Sequence, residues 1–286
     1  MNKNIQTRIY PILAAGVFVI SFSGIFIRLA EAPPLIIAFY RMFYSILFLT
    51  PLFIYKYRKN IEYFLDYRPV IVGFFLAIHF FLWITAFEYT NVGNAVIFIA
   101  LQPLFTYILE YLFAREDLKE GVLLGIFMAM IGSVIISMGD LAQLVDKLWG
   151  DLLAIMAAFF AACYLFSGRS LRNEIEYFPY LYLVYTYAAI FLGLFALIRG
   201  ISFTGHGFIN YGYFLALALG PTLIGHSVLN YSVRYIPTTI VSLAILGEPI
   251  LTTILAWFLL QEKITLTTFI GGIFILIGIY NASIKK

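Results

Sequence analysis

Residues 89–137 align with residues 235–283 at a constant offset of 146, with no gap and 11 identities in 49. The identities include Tyr89/Tyr235, Ile99/Ile245, Pro103/Pro249, Thr106/Thr252, Glu116/Glu262, Gly125/Gly271 and Gly132/Gly278. Both copies lie in apolar stretches long enough to cross a bilayer. A chain that repeats one helical pattern must join two similar halves. In duplicated membrane bundles, a site lies where the halves meet.

The chain is 63% hydrophobic and 12% charged, against about 25% charged for a soluble domain. Lipid is therefore its main solvent. The net charge of +3 gives no nucleic-acid signal, because the cations gather in short loops. The single cysteine, Cys163, lies in an apolar stretch, so no internal disulfide can form. Met1 to Arg8 is polar and basic, and the apolar run Ile9 to Ile27 is long enough to span. That pattern predicts an uncleaved first helix. A processed leader, the alternative, would show a shorter apolar core and a small-residue cleavage site.

A spanning helix needs about 20 mostly apolar residues. Ten stretches qualify: 10–28, 35–54, 69–87, 93–113, 121–138, 150–168, 180–199, 211–230, 238–260 and 264–283. The loops between them are too short for a soluble domain. Thirteen lysines and arginines fall on one face: Lys3, Arg8, Lys56, Arg58, Lys59, Arg68, Arg115, Lys119, Arg169, Arg172, Arg234, Lys285 and Lys286. Four fall on the other, namely Arg28, Lys147, Arg199 and Lys263. The basic face is expected in the cytoplasm, with both termini. Each copy holds five helices, an odd number, so the copies must enter the membrane in opposite directions. The expected fold is an all-α integral membrane protein of ten transmembrane helices in two inverted five-helix repeats, residues 1–139 and 148–286. Gly121, Gly125 and Gly132, echoed by Gly271 and Gly278, predict close helix packing. They would serve either a static bundle or a moving or dimer contact.

Ionisable groups at membrane depth usually face the bundle interior or a wet cavity. Glu248 precedes Pro249 near mid-membrane, and its repeat partner Gln102 precedes Pro103. A proline removes one helical hydrogen bond, so side chain and freed carbonyl can face a cavity together. Glu248 is either a proton- or substrate-coupling carboxylate or a brace for the kink. His79 and His226 lie near the centre of their helices. They could bind a solute or move a proton, or make an interhelical hydrogen bond. Arg41 could bind an anion, snorkel outward, or pair with Glu31 or Glu88. Trp83, Asn94 and Asn230 are further candidates for a cavity lining. Glu110 could reach the interface, and Glu116 and Glu262 read as turn or capping residues. Aromatic clusters at Phe39 to Tyr44, Phe80 to Trp83 and Tyr180 to Tyr187 are interfacial anchors, packing, or a cavity wall.

No phosphate-cradling glycine loop, nucleophile elbow or H-E-x-x-H motif is present. The sequence predicts no enzyme, no metal site and no cofactor.

The run Gly225-His226-Ser227, Asn230-Tyr231, Arg234 to Pro237, Val241-Ser242 and Leu246-Gly247-Glu248-Pro249, then Ala256 and Glu262, resembles the second repeat of EamA-type transporters of the drug/metabolite transporter superfamily. Gln102-Pro103 to Glu116 resembles the first repeat more loosely, with Gln102 in place of the carboxylate. The resemblance covers essentially the whole chain. It implies a central cavity between the halves and a secondary-active exporter or exchanger of small metabolites such as amino acids. It implies a prokaryotic inner membrane. Two halves around a central site are expected to work by alternating access, as a monomer or homodimer. The expected substrate site is His79, Trp83, Gln102, His226, Asn230, Glu248, Arg41 and Asn94, with Glu248 and His79 as proton-coupling candidates. A carrier of sugars or nucleotide sugars and a non-transporting scaffold or sensor are the alternatives.

Overall fold

A computed structural model describes residues 3–59, 62–89, 99, 101–114, 120–138, 148–261, 264 and 266–284. All regular structure among them is helical. Seven stretches are long and apolar enough to cross a bilayer: Arg8–Leu29, Pro34–Tyr57, Arg68–Tyr89, Trp149–Arg172, Tyr177–Ile198, Phe208–Ser232 and Thr238–Leu259. Helix also occupies Gln102–Leu109, Glu120–Met138 and Leu266–Ile284. Each of the ten predicted stretches thus contains helix, and seven meet the full length and hydropathy of a span. Asn94, Glu116 and Glu262 lie outside the described residues.

Local chemistry sets the helix ends. The helix Pro34–Tyr57 opens on Pro34, whose missing N–H costs nothing at a first turn. Asp66 accepts a hydrogen bond from the Arg68 amide at 2.9 Å and so caps the next helix. The helix Tyr177–Ile198 ends at Gly200 with φ +66°, where Ile201 N–H reaches back to the Ala196 carbonyl at 2.9 Å. That left-handed closing turn favours glycine.

The helices Glu120–Met138 and Leu266–Ile284 pack on each other. A Cβ on Gly278 would stand 2.5 Å from the Gly125 carbonyl oxygen, and one on Gly132 would likewise strike the carbonyl oxygen of Gly271. The predicted small-residue spacing is therefore used inside the chain, backbone against backbone. The offset of 146 turns Gly132 into Gly278 and Gly125 into Gly271, so it exchanges these two contacts.

Several helices are irregular, among them Gln102–Leu109, which runs on into a π-helical turn at Glu110–Ala114. The first span is interrupted at Ser21, whose Oγ donates to the Val17 carbonyl at 2.8 Å. The Thr238–Leu259 span is interrupted at Leu246, just before Glu248. Phe208–Ser232 contains a π-helical segment, Ala218–His226. Pro221 lies within that segment and has no N–H for the Leu217 carbonyl. The shift to π-helical pairing brings Thr222 to that carbonyl, and its hydroxyl donates there at 2.9 Å.

Candidate functional site

The interrupted helices meet at a cavity. Ile20 and Ser23 border the first interruption, Ile245 and Glu248 the second, and His226 ends the π-helical segment; all five line the space. His79, Phe80 and Trp83 come from Arg68–Tyr89, and Tyr164 from the helix Leu148–Glu174. Ile99 and Gln102 complete the pattern: Ile99/Ile245 and Gln102/Glu248 are repeat-related pairs facing one cavity. Pro103 and Pro249 stand four residues after the two isoleucines and offer their carbonyls no N–H.

Most of the polar wall is uncommitted. Among the described residues, the carboxylate of Glu248, the amide of Gln102 and the ring of His226 have no hydrogen-bond partner. Trp83 is buried, and its Nε1 donor is also unpaired. His79 Nδ1 lies 3.0 Å from the Ala157 carbonyl oxygen. A carbonyl only accepts, so Nδ1 carries the hydrogen and Nε2 of the neutral ring is left as an acceptor. The His79 ring stacks against Trp83 with centroids 6.2 Å apart. The site therefore combines a carboxylate, two imidazoles, an amide and an indole N–H with the flat faces of Phe80 and Trp83. Buried polar groups without partners are costly. Grouped on one cavity, they can receive a solute having an apolar body and polar ends.

The cavity is narrow. Its volume is about 40 Å³. A second space of about 20 Å³ adjoins it through Trp83, Ile99, Ile245 and Glu248, and is bordered by Phe87 and Thr252.

Two arginines stand behind the wall. Arg41 is fully buried: Nε donates to Thr222 Oγ1 at 2.6 Å and Nη1 to Ser23 Oγ at 3.1 Å. Its guanidinium lies 4.2 Å from the centroid of Phe80, and Nη2 has no partner. It neither snorkels nor pairs with Glu31 or Glu88: Glu31 contacts Asn210 through its backbone, and Glu88 borders a separate lateral groove. Arg172 is also fully buried, with Nε on Asn230 Oδ1 at 3.0 Å and Nη1 on the Leu165 carbonyl at 2.9 Å. Asn230 Nδ2 donates to Tyr164 OH at 2.5 Å and to the His226 carbonyl at 2.9 Å. No ion pair forms at either arginine among the described residues.

Of the expected site residues, His79, Trp83, Gln102, His226 and Glu248 line the cavity. Arg41 and Asn230 are one layer behind it, through Ser23 and Tyr164, and Asn94 lies outside the described residues. Sequence reasoning missed Ser23, Tyr164 and Arg172. Arg172 and Tyr164 are two turns apart on one helix, a spacing that was available as a signal.

The end of the bundle bearing Arg68, Arg169, Arg172 and Arg234 is densely tied. Arg68 pairs with Asp66 at 2.8 Å and with Glu174 at 2.6 Å. Both carboxyls are held below the usual carboxylate range, chiefly by hydrogen bonds from Arg68. Tyr57 donates to Glu176 at 2.6 Å, and Arg234 to the Ile175 carbonyl at 2.7 Å. Glu110, expected to reach the interface, is instead fully buried. It accepts from the Thr238 amide at 2.9 Å, the Thr239 amide at 3.4 Å, the Thr239 hydroxyl and Arg169 Nη1 at 3.3 Å. The reason is the start of the helix Thr238–Ile245, whose free N–H groups and positive dipole end draw a carboxylate inward.

The model of the EamA-like transporter family matches residues 8–138 and, a second time, residues 148–284. An uncharacterized transporter of Archaeoglobus fulgidus is 28% identical over 202 residues, covering 69% of this chain and 70% of its own. The uncharacterized transporter YdfC of Bacillus subtilis is 23% identical over 292 residues, covering 99% and 93% respectively. A crystal structure superposes with a TM-score of 0.80 over 96% of each chain at 15% identity, a likeness of fold alone.

Proposed function

The chain belongs to the EamA-like transporter family, and we propose that it is a secondary-active exporter or exchanger of small metabolites such as amino acids, working by alternating access. The observation that carries this reading is the set of uncommitted polar side chains on one narrow cavity between the two copies. Glu248 and Gln102 face it from equivalent positions, and a solute held there would touch both halves.

The reading takes the two halves as inverted repeats of five helices, residues 1–139 and 148–286, with both termini in the cytoplasm of a prokaryotic cell. It is supported by the distribution of lysine and arginine and by the exchange of the Gly132–Gly271 and Gly278–Gly125 contacts. A pair of contacts that swap under the repeat is what a two-fold relation produces. Glu248 would meet an ammonium group or carry a coupling proton, with His79 Nε2 as a second proton site. Arg41 would draw a carboxylate toward Ser23. Phe80 and Trp83 would hold the apolar body.

A cavity of about 40 Å³ must widen to take such a solute. Alternating access provides that, since rocking of the halves opens the site on one side at a time. The test is counterflow of labelled amino acids in proteoliposomes. Exchange is expected from the wild type and is expected to fall about tenfold or more in His79→Ala, the loss of one hydrogen bond to a charged group. No counterflow of any amino acid or related metabolite by folded protein would leave the scaffold or sensor reading in its place.

A further inference from the structure

The two copies differ at the polar stripe that runs from the cavity to the basic end. On the 102–114 segment, Gln102, Thr106 and Glu110 are spaced by four residues and share a face. Gln102 lines the cavity. Thr106 Oγ1 meets Ser242 Oγ at 3.1 Å, and Glu110 holds Thr238 and Thr239. This stripe ties the first half to the second, one turn after another. Arg169 adds a third helix to the same carboxylate.

The aligned repeat gives most members a counterpart in the other copy. Glu110 becomes Ala256, Ser242 becomes Val96, and Thr238 and Thr239 become Val92 and Gly93. Only Thr106 keeps its type, as Thr252, and Thr252 Oγ1 donates to the Ser21 carbonyl at 2.9 Å, within the second half's contact to the first helix. Glu110 is a buried carboxylate with four donors, and the sequence puts an alanine at its repeat position.

We infer that Glu110 is a positioning residue that latches the cytoplasmic side of the cavity shut, so that the protein rests facing outward. The inference rests on the transport reading above. Glu110 touches no solute. It acts through the start of the helix Thr238–Ile245, which must part from the 102–114 segment for the cytoplasmic side to open. Parting exposes the carboxylate and its donors to water, so the latch can open without leaving a bare buried charge. Loss of the carboxylate removes charge-assisted hydrogen bonds present in the closed state only, and so shifts the resting population.

Labelling from each side tests this without knowledge of the solute. The native Cys163 is replaced by serine, and Ala161→Cys, on the cavity wall, serves as reporter. A membrane-impermeant maleimide is applied to right-side-out and inside-out vesicles. With Glu110 intact, labelling is expected mainly from outside. Glu110→Gln is expected to shift the outside-to-cytoplasm labelling ratio about tenfold toward the cytoplasm, and Thr239→Val in the same direction by less. Thr239→Val keeps the carboxylate and guards against simple misfolding, which detergent elution profiles would reveal. A reporter labelled from outside with an unchanged ratio in both folded variants overturns the latch and leaves the transport reading standing. A reporter reached equally from both sides in every variant removes the alternating cavity, and the latch with it.

Discussion

Gln102–Leu109 and Gly247–Leu260 stem from one pattern, yet they now do different work. Both keep the proline that frees a carbonyl beside the cavity, and both keep a threonine one turn later. Between and beyond those fixed points they diverge. The first carries a neutral amide at the cavity and a latched carboxylate at the basic end. The second carries a carboxylate at the cavity and an alanine where the latch would be. Along these two helices, positions that shape the backbone have stayed equal, while positions that hold charge have come apart. The lesson is that symmetry in this bundle belongs to its scaffold and asymmetry to its chemistry.

That contrast can be broken most forcefully at the glycines. Gly132→Val and Gly278→Val should each drive a side chain into a facing carbonyl, costing about 3 kcal/mol, the upper range for overpacking. Because the two contacts exchange under the repeat, their losses in thermal stability in detergent should match. A large difference would argue against a symmetric scaffold. At the cavity the copies should respond unequally. Glu248→Gln, which makes the pair alike, should cut counterflow by about ten- to a hundredfold, the worth of a hydrogen bond to a charged group, with little loss of stability. Gln102→Ala should cost less than tenfold, as a neutral contact does.

Smaller effects sharpen the picture. Thr222→Val removes the hydroxyl that donates to the Leu217 carbonyl and leaves Arg41 Nε unpaired. A loss of about 1–3 kcal/mol follows from the buried unsatisfied donor, read as a lower unfolding midpoint. At the basic rim, Asp66→Asn should cost no more than about 0.2–1 kcal/mol, because the pair with Arg68 is partly exposed and screened. The sign with pH is fixed. Asp66 and Glu174 have lowered folded pKa values, so their contribution is complete above about pH 4, and fades as pH falls below it. Stability scans from pH 8 to 5 should show no step from this cluster.

Much of the arrangement was legible because lipid imposes strong rules. Apolar runs marked where helix lies, and Pro103 and Pro249 marked where it is disturbed. Five of the eight site residues expected from sequence face one cavity. The rest was hidden by contacts between distant segments. Arg172 looked like a loop cation at a helix end, yet Asn230 and the Leu165 carbonyl draw it fully inside. Asn230 looked like lining, yet it is spent on Arg172 and Tyr164. Glu110 looked free to reach headgroups, yet the start of a helix 128 residues further along the chain claims it. The pairing of such distant groups has no local periodicity to announce it.

The narrowness of the cavity carries a consequence for what can enter. At about 40 Å³, the space as it stands leaves a bound solute little water of its own, so the wall has to replace what the hydration shell gives up. Selection would then begin with what a solute gives up before any contact is made.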